Sequence, residues 1–256
     1  MITDSFDDRS EAKINPYVNP NAAVLDACIL TFSRVIEEQA LRSYPCEKLG
    51  EIRDAADIRT IYRIDRKGRK IGFFKTYVGA PACVGSIETS FSQISTRRFI
   101  LFGGAGCLDK AIAHGKVMVP TAAYRDEGTS YHYAAPADYI AVRNHAQVSA
   151  FMEKNGIPYV EGKTWTTDAF YRETLDNFEK RKREGCISVE MECAAVQALC
   201  DFRGLELYAF FTGGDLLDAP KWTERRREGE LAGTQHDAAH FDIALELAVW
   251  LCGEER

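Results

Sequence analysis

The sequence has no excess of positive charge and no long apolar run. Its 256 residues include 32 Lys and Arg against 38 Asp and Glu, which gives a net charge of −6. This balance argues against binding to nucleic acid or to an anionic membrane surface. Apolar stretches such as Phe99 to Cys107 are far shorter than the ~20 residues of a membrane span, and the N-terminus is acidic where a signal peptide is basic and then apolar. We therefore expect a cytoplasmic protein with neither nucleic-acid nor membrane partners.

Several ligand motifs are also missing. No Cys-x-x-Cys pair occurs, and the eight cysteines are spread over the whole chain, mostly in apolar stretches. This distribution favours buried free thiols over a zinc site or a disulfide framework. His236 and His240 are four residues apart, for which a solvated helix start is the simpler interpretation. Neither GxGxxG nor GxxxxGK[ST] is present, so nicotinamide cofactors and P-loop chemistry lose their usual support. We predict no metal and no organic cofactor.

Strand-like and helix-like patterns alternate along most of the chain. Residues 1–21 are polar, include Asn and Pro, and are predicted to form an irregular N-terminal arm. Residues 22–256 then begin with an apolar strand over Ala22–Leu30 and a helix over Ser33–Leu41. The alternation predicts one α/β domain whose mixed, largely buried β-sheet is flanked by helices.

Further elements follow from local composition. Lys67-Gly68 separates two strand patterns and indicates a hairpin. The two strands of this hairpin are Thr60–Arg66 and Lys70–Val78. The other predicted elements are strands over Arg98–Phe102 and Glu206–Phe211, and helices over Ser86–Ser95, Ala137–Asn155, Ser188–Phe202 and Ala238–Cys252.

Two glycine segments follow predicted strands and are predicted to be turns. Gly103–Gly106 comes after Arg98–Phe102, and Gly213-Gly214 comes after Glu206–Phe211. Ligands of α/β proteins bind beyond the carboxyl ends of strands, and glycine lets a ligand approach the backbone N–H groups closely. The alternative interpretation is a tight turn beneath a packed helix.

Three carboxylates are candidates for the chemistry of such a ligand site. Glu190 and Glu192 enter an apolar run at the start of a predicted helix, where the helix dipole favours a carboxylate and where Glu can accept hydrogen bonds from a vicinal diol. The alternative is two solvated glutamates of the first turn. Asp215 follows Gly213-Gly214 and could act as a general acid if burial raises its pKa. The alternative for Asp215 is an Asx turn or a helix cap.

The order of these motifs resembles the nucleoside phosphorylase family, which includes purine nucleoside phosphorylase and uridine phosphorylase. The resemblance spans Ala22 to Asp215 and is carried by Val189–Glu192, by Arg125–Tyr133, and by the glycine segment followed by Gly115–Pro120. It implies a phosphorylase-type α/β fold, a homo-oligomer (dimer or hexamer), and a nucleoside and inorganic phosphate as the two substrates.

The resemblance also implies roles for individual residues. Glu192 would hold the ribose hydroxyls, with Met191 and Glu190 completing the ribose site. Phe170 matches the aromatic residue that stacks on the base, and Asp215 matches the acid that protonates the purine ring. Uridine-specific members carry a Gln shortly after the stacking Phe, whereas Arg172–Asp176 contains none, which favours a purine.

The phosphate site departs from the family pattern. Arg34 is what is left of a Gly-Asp-Pro-x-Arg turn, Leu101 stands where a second arginine is usual, and Gly104 stands where a hydroxyl residue is usual. Arg34 and Gly104 are therefore the predicted phosphate contacts. Arg59 or Arg63 could supply a cation across a subunit interface.

The favoured function is phosphorolysis of a purine nucleoside to free base and ribose 1-phosphate, in which an oxocarbenium-like sugar and a departing base each need a positioned partner. Two alternatives stay open. A nucleosidase would use water, with a glutamate after the first strand as base, and Glu37 and Glu38 lie several residues beyond that position. A nucleoside-binding protein would keep the contacts without turnover.

Overall fold

A ten-stranded mixed β-sheet runs through the computed structural model. The structure describes residues 1–55, 57–113, 115–218 and 230–253, without the side chains of residues 215 and 230–238. The strands are β1 Ala23–Val24, β2 Ala27–Thr31, β3 Glu47–Arg53, β4 Ile58–Arg66, β5 Arg69–Lys75, β6 Ile94–Ser95, β7 Arg98–Cys107, β8 Val117–Asp126, β9 Tyr139–Ala141, β10 Tyr159–Thr167, β11 Cys186–Glu190 and β12 Glu206–Leu216. The helices are α1 Arg34–Ser43, α2 Ala80–Ser90, α3 Lys110–Ala113, α4 His145–Lys154, α5 Leu175–Arg183, α6 Cys193–Arg203 and α7 Glu230–Leu251, and short 3₁₀ turns cover Ile2–Asp4, Thr129–His132 and Phe170–Arg172.

Half of this sheet closes on itself. The strand order is β11-β10-β8-β12-β7-β2-β5-β4-β3, and β11 also pairs with β7, so that β7, β12, β8, β10 and β11 form a closed ring. Within the ring β7–β12, β8–β10 and β10–β11 are parallel, whereas β8–β12 and β7–β11 are antiparallel. The mixed sheet confirms the predicted fold class.

Helices cover both faces of the sheet. All five residues of β2 are buried, as expected for a strand packed on two sides. Helices α2 and α6 pack on one face through residues such as Ile87 and Leu199. Helices α1, α4 and α7 pack on the other through residues such as Ile36, Val148 and Phe241.

Local sequence signals gave several elements correctly. Ser33 is the N-cap of α1, and its hydroxyl accepts a hydrogen bond from the N–H of Ile36 over 3.3 Å, as expected for a serine in this position. The β4–β5 hairpin turns at Lys67 and Gly68, which have φ angles of 49° and 78°. Positive φ at both turn residues matches the tight hairpin expected there.

Four predicted helices have different bounds. Helix α2 begins at Ala80 with Pro81 in its first turn, a position where the missing N–H of proline costs nothing. The Ser188–Phe202 pattern is a strand to Glu190 followed by a helix from Cys193, and the first part of Ala137–Asn155 is strand β9. Helix α7 begins at Glu230, and His240 within it is buried, so a solvated helix start is wrong for that residue.

The prediction of two glycine turns is also wrong. Strand β7 continues through Gly103–Gly106, and β12 continues through Gly213-Gly214. A Cβ on Gly106 would lie 2.7 Å from Leu217 and 2.8 Å from Val189. Glycine is needed at that position because a neighbouring strand and the residue after β12 pack directly on the β7 backbone, not because the chain reverses.

The termini and cysteines add two facts. The first 22 residues contain one short 3₁₀ turn, Ile2–Asp4, and the division of the chain at residue 22 stays a prediction. All eight cysteines carry free thiols and seven are buried, which confirms that expectation. Among the described helices, none combines the length and hydrophobicity that a membrane crossing requires.

Candidate functional site

The junction between β11 and α6 holds two buried carboxylates. Glu190 is the last residue of β11 and Glu192 is the N-cap of α6, and each is 5% exposed. One oxygen of Glu190, Oε2, accepts hydrogen bonds from the backbone N–H groups of Glu192 and Cys193, both over 2.7 Å. These N–H groups would otherwise be unsatisfied at the helix start. The carboxylate of Glu190 therefore caps α6.

Two threonines of β10 bind the other oxygen of Glu190. The hydroxyl of Thr166 donates to Oε1 over 2.5 Å, and that of Thr164 lies 3.4 Å away. Thr166 also accepts a hydrogen bond from the N–H of Ala194 over 3.0 Å. The sequence analysis missed both threonines, although their spacing of two places them on one face of a strand.

Glu192 has a different partner. The backbone N–H of Gly79 donates to its Oε1 over 2.5 Å. Gly79 is the N-cap of α2 and has a φ of 105°, a conformation that side chains rarely allow. Gly79 was also missed, and the glycine two residues before Pro81 is the signal that could have marked it as a helix start.

The electrostatics of the junction favour a proton on this pair of carboxylates. Burial raises the pKa of Glu192 to about 8, and the carboxyls of Glu190 and Asp168 contribute to the rise. Burial raises the pKa of Glu190 to about 7 against the opposing effect of its hydrogen bonds. Neither carboxylate faces a cation among the described residues. Hydroxyl donors from a ligand would therefore stabilise the ionised form of Glu192.

The glycine segments lie beside this junction. Gly106 of β7 pairs with Val189 of β11, and Ala105 pairs with Gly213 of β12. The backbone of Asp215 belongs to the end of β12, two residues beyond Gly213. Its side chain lies outside the described residues, so its role as an acid stays a prediction.

Phe170 and Met191 follow the ends of β10 and β11. Phe170 is 51% exposed, and its ring centroid lies 4.2 Å from that of Tyr171. Asp168, two residues earlier, accepts a hydrogen bond from the N–H of Gly128 over 3.0 Å and is close enough to Glu192 to raise its pKa. Met191 is half-buried. The Phe170 ring is thus accessible and lies two residues after the aspartate that acts on Glu192.

The predicted phosphate contacts differ from the two carboxylates in their burial and in their partners. The side chain of Arg34 is 82% exposed, and its Nε lies 2.9 Å from the carboxylate of Glu38. Leu101 is fully buried in the core. Gly104 is exposed, and the nearest atom to a Cβ built on it would be the Cα of Gly214 at 3.9 Å. A ligand can therefore reach the Gly104 backbone, whereas Arg34 is paired on the surface.

The two arginines considered for a subunit interface are also paired within the chain. Arg63 forms ion pairs with Glu47 and Asp65. Arg59 is buried and forms an ion pair with Asp54. Both guanidinium groups are therefore already paired with carboxylates in the single chain rather than available to bind an anion.

A separate cleft of about 630 Å³ opens between α2 and the Thr129–His132 turn. Asp168, Gly128 and Pro81 contribute to its walls. It has the size of a small-molecule site, but its walls include neither Glu192 nor Phe170. The cleft therefore adjoins the carboxylate pair without containing it.

Comparison with known proteins gives a family and several relatives. The family model described as "Phosphorylase superfamily" matches residues 26–244. A purine nucleoside phosphorylase DeoD-type 1 from Aliivibrio fischeri is 24% identical over 209 residues, which cover 78% of this chain and 83% of the relative. A uridine phosphorylase from Salmonella typhimurium is 28% identical over 163 residues, covering 57% and 64% of the two chains.

A guanosine phosphorylase from Halorubrum lacusprofundi is also similar, at 28% identity over 148 residues that cover 57% of this chain and 61% of the relative. The chain thus matches less than two thirds of the length of the uridine and guanosine phosphorylases. Relatives named for purine and for uridine both occur at low identity, so the similarity leaves the base open.

Proposed function

The chain belongs to the phosphorylase superfamily, and from this premise we propose that it cleaves the N-glycosidic bond of a nucleoside, preferably a purine nucleoside, with phosphate. The products are the free base and ribose 1-phosphate. Membership of this superfamily confirms the predicted family and enzyme class. The identity of the base and the identity of the attacking group are what we propose. The proposal also includes a cytoplasmic homo-oligomer, dimer or hexamer, that acts in purine salvage without a metal or an organic cofactor.

The observation that carries the proposal is the buried carboxylate of Glu192. It lies at the start of α6, accepts a hydrogen bond from Gly79, and faces no cation among the described residues. A carboxylate in this state still has acceptor capacity that neutral donors can fill, and the two hydroxyls of a ribose are such donors. Glu190 supports the site from within the chain, because its Oε2 caps α6 and its Oε1 is bound by Thr166.

The remaining residues divide the work of bond cleavage. Phe170 stacks on the base, Met191 packs against the sugar, and Asp215 gives its proton to a ring nitrogen of the purine as the bond to C1′ breaks. Phosphate then bonds to C1′, with the backbone N–H of Gly104 and the side chain of Arg34 as its contacts. Charge appears on both the sugar and the leaving base, and each is matched by a fixed partner.

Two observations favour a purine nucleoside as the substrate. The segment Arg172–Asp176 after Phe170 has no Gln, and relatives named purine nucleoside phosphorylase and guanosine phosphorylase match the chain.

Hydrolysis is the second candidate, because one side of the site is poor in free cations. Leu101 is buried and apolar, Gly104 has no hydroxyl, and Arg34 is already paired with Glu38. Missing charged contacts of this kind weaken binding of an anion. Water would then take the place of phosphate.

One assay separates these functions. Inosine, adenosine and uridine are incubated with the full chain, with and without phosphate, and free base and ribose 1-phosphate are quantified. Phosphate-dependent release, fastest with the purine nucleosides, is the expected result. Release that does not depend on phosphate supports a nucleosidase, and saturable binding without release supports a binding protein. Faster release from uridine would overturn the purine preference.

A further inference from the structure

Arg59 faces the interior of its own chain. It lies near the start of β4 and is 4% exposed. Its Nη1 donates to the hydroxyl of Ser86 in α2 over 2.6 Å, and its Nη2 donates to the carboxylate of Asp54. A buried guanidinium held in two directions is fixed in place. Arg59 therefore joins β4 to α2.

The hydroxyl of Ser86 connects Arg59 to the segment after β5. It accepts a second hydrogen bond from the hydroxyl of Thr76 over 3.1 Å and donates to the carbonyl of Ala82 over 2.6 Å. One donated and two accepted bonds use the full capacity of a hydroxyl. Ser86 is therefore the point at which β4, α2 and Thr76 are tied together.

The segment from Thr76 to Gly79, called here the 76–79 loop, is held by the same arginine a second time. The Cζ of Arg59 lies 4.3 Å from the ring centroid of Tyr77, and the Nζ of Lys75 lies 5.1 Å from it. Cations over an aromatic ring are attracted to its face. The 76–79 loop ends at Gly79, whose N–H donates to Glu192.

We propose that Arg59 is a positioning residue for Glu192. It fixes the 76–79 loop through Ser86 and Tyr77, and the loop presents the Gly79 N–H to the carboxylate. Arg59 touches no substrate in this arrangement. That Glu192 binds a nucleoside rests on the proposed function, whereas the effect of Arg59 on the Glu192 carboxylate does not.

The Gly79 N–H has a measurable effect on Glu192. The titratable groups that face this carboxylate are Glu190, Asp168, Cys83 and Cys193. Their negative forms and the burial of the site disfavour ionisation, whereas the N–H of Gly79 favours it. Loosening the 76–79 loop therefore raises the pKa of Glu192 further.

The test is a pH titration of the Glu192 carboxyl carbon by ¹³C NMR, with the signal assigned by its loss in Glu192→Gln. In Arg59→Met the midpoint is expected to rise by about 0.5 pH unit or more, roughly a threefold change in the protonation equilibrium. The matched control is Arg66→Met, which removes another β4 arginine that pairs with a carboxylate, Glu246, and lies over a tyrosine ring. This control is expected to keep the wild-type midpoint.

Ser86→Ala is the second variant, and it decides the question if Arg59→Met does not fold. It removes the shared hydroxyl at a helical position where alanine is favourable, and the same upward shift is expected. An unchanged midpoint in folded Arg59→Met, or in Ser86→Ala where the arginine variant does not fold, would overturn the positioning role. Absence of nucleoside binding and release in the wild type would instead overturn the proposed function and leave the NMR result intact.

Discussion

The two sides of the candidate site are built in different ways. On the sugar side, Glu190 and Glu192 are buried and bonded by groups from β10, α2 and α6. On the phosphate side, Arg34 is exposed and paired with Glu38, and Leu101 belongs to the core. The chain itself therefore holds in place the two carboxylates proposed to serve a sugar. Among the described residues, the predicted contacts for an anion are the exposed Gly104 backbone and a paired surface arginine.

Glu192→Gln should give the largest effect, because it removes the carboxyl group whose ionised form ribose hydroxyls would stabilise. The side chain keeps its shape but loses a charged acceptor, which is worth about 1.5–3 kcal/mol per hydrogen bond. We expect the Kd for a nucleoside to rise by roughly 10- to 100-fold, measured by isothermal titration calorimetry.

Glu161→Gln is the control for this substitution. Glu161 is a carboxylate of β10 bonded to Ser149 and His145, away from the β11–α6 junction, and its loss should leave the affinity unchanged. Wild-type affinity in Glu192→Gln would mean that the sugar side is not a ribose site, and the contrast between the two sides would lose its meaning.

The burial of Glu192 also predicts a pH dependence of stability. Its pKa in the folded chain is about 8, above the value of about 4.3 for an unperturbed glutamate. The folded state therefore holds a proton that the unfolded state has released, and this contribution to stability is lost as pH rises from about 4.3 to 8.

Glu192→Gln removes this contribution, so the variant should gain stability relative to wild type as pH rises. The gain is at most about 1.4 kcal/mol between pH 6 and pH 7. Urea unfolding at both pH values measures it, and parallel pH curves for the two proteins would show that Glu192 is ionised throughout.

The sequence predicted the elements that depend on local pattern. Ser33 caps α1, and Lys67-Gly68 turns the β4–β5 hairpin, because both signals act within a few residues. The glycines of β7 were misread as a turn, since their reason is contact with Val189 and Leu217, far along the chain. A local sequence pattern does not reveal a contact with residues so far along the chain.

The candidate site shows the same division. Sequence identified Glu190 and Glu192 as unusual carboxylates in an apolar run, and both are buried at one junction. It assigned both to a sugar, whereas the oxygens of Glu190 are bonded to Thr166 and the start of α6. Their separate surroundings depend on β10 and on the loop before α2, and only the folded chain brings these segments together.

Arg34→Ala should give the smallest effect and sharpens the phosphate side of the comparison. The arginine is exposed and paired with Glu38, and an exposed charge contact is worth up to about 1 kcal/mol. We expect the KM for phosphate to rise by roughly fivefold or less, measured with saturating inosine. Arg42→Ala is the matched control, because Arg42 pairs with the same Glu38 from the same helix, and it should leave this KM unchanged. A 100-fold rise in Arg34→Ala would show that both sides carry a strong charged contact, whereas identical behaviour of the two variants would leave the Gly104 backbone as the predicted phosphate contact of this chain.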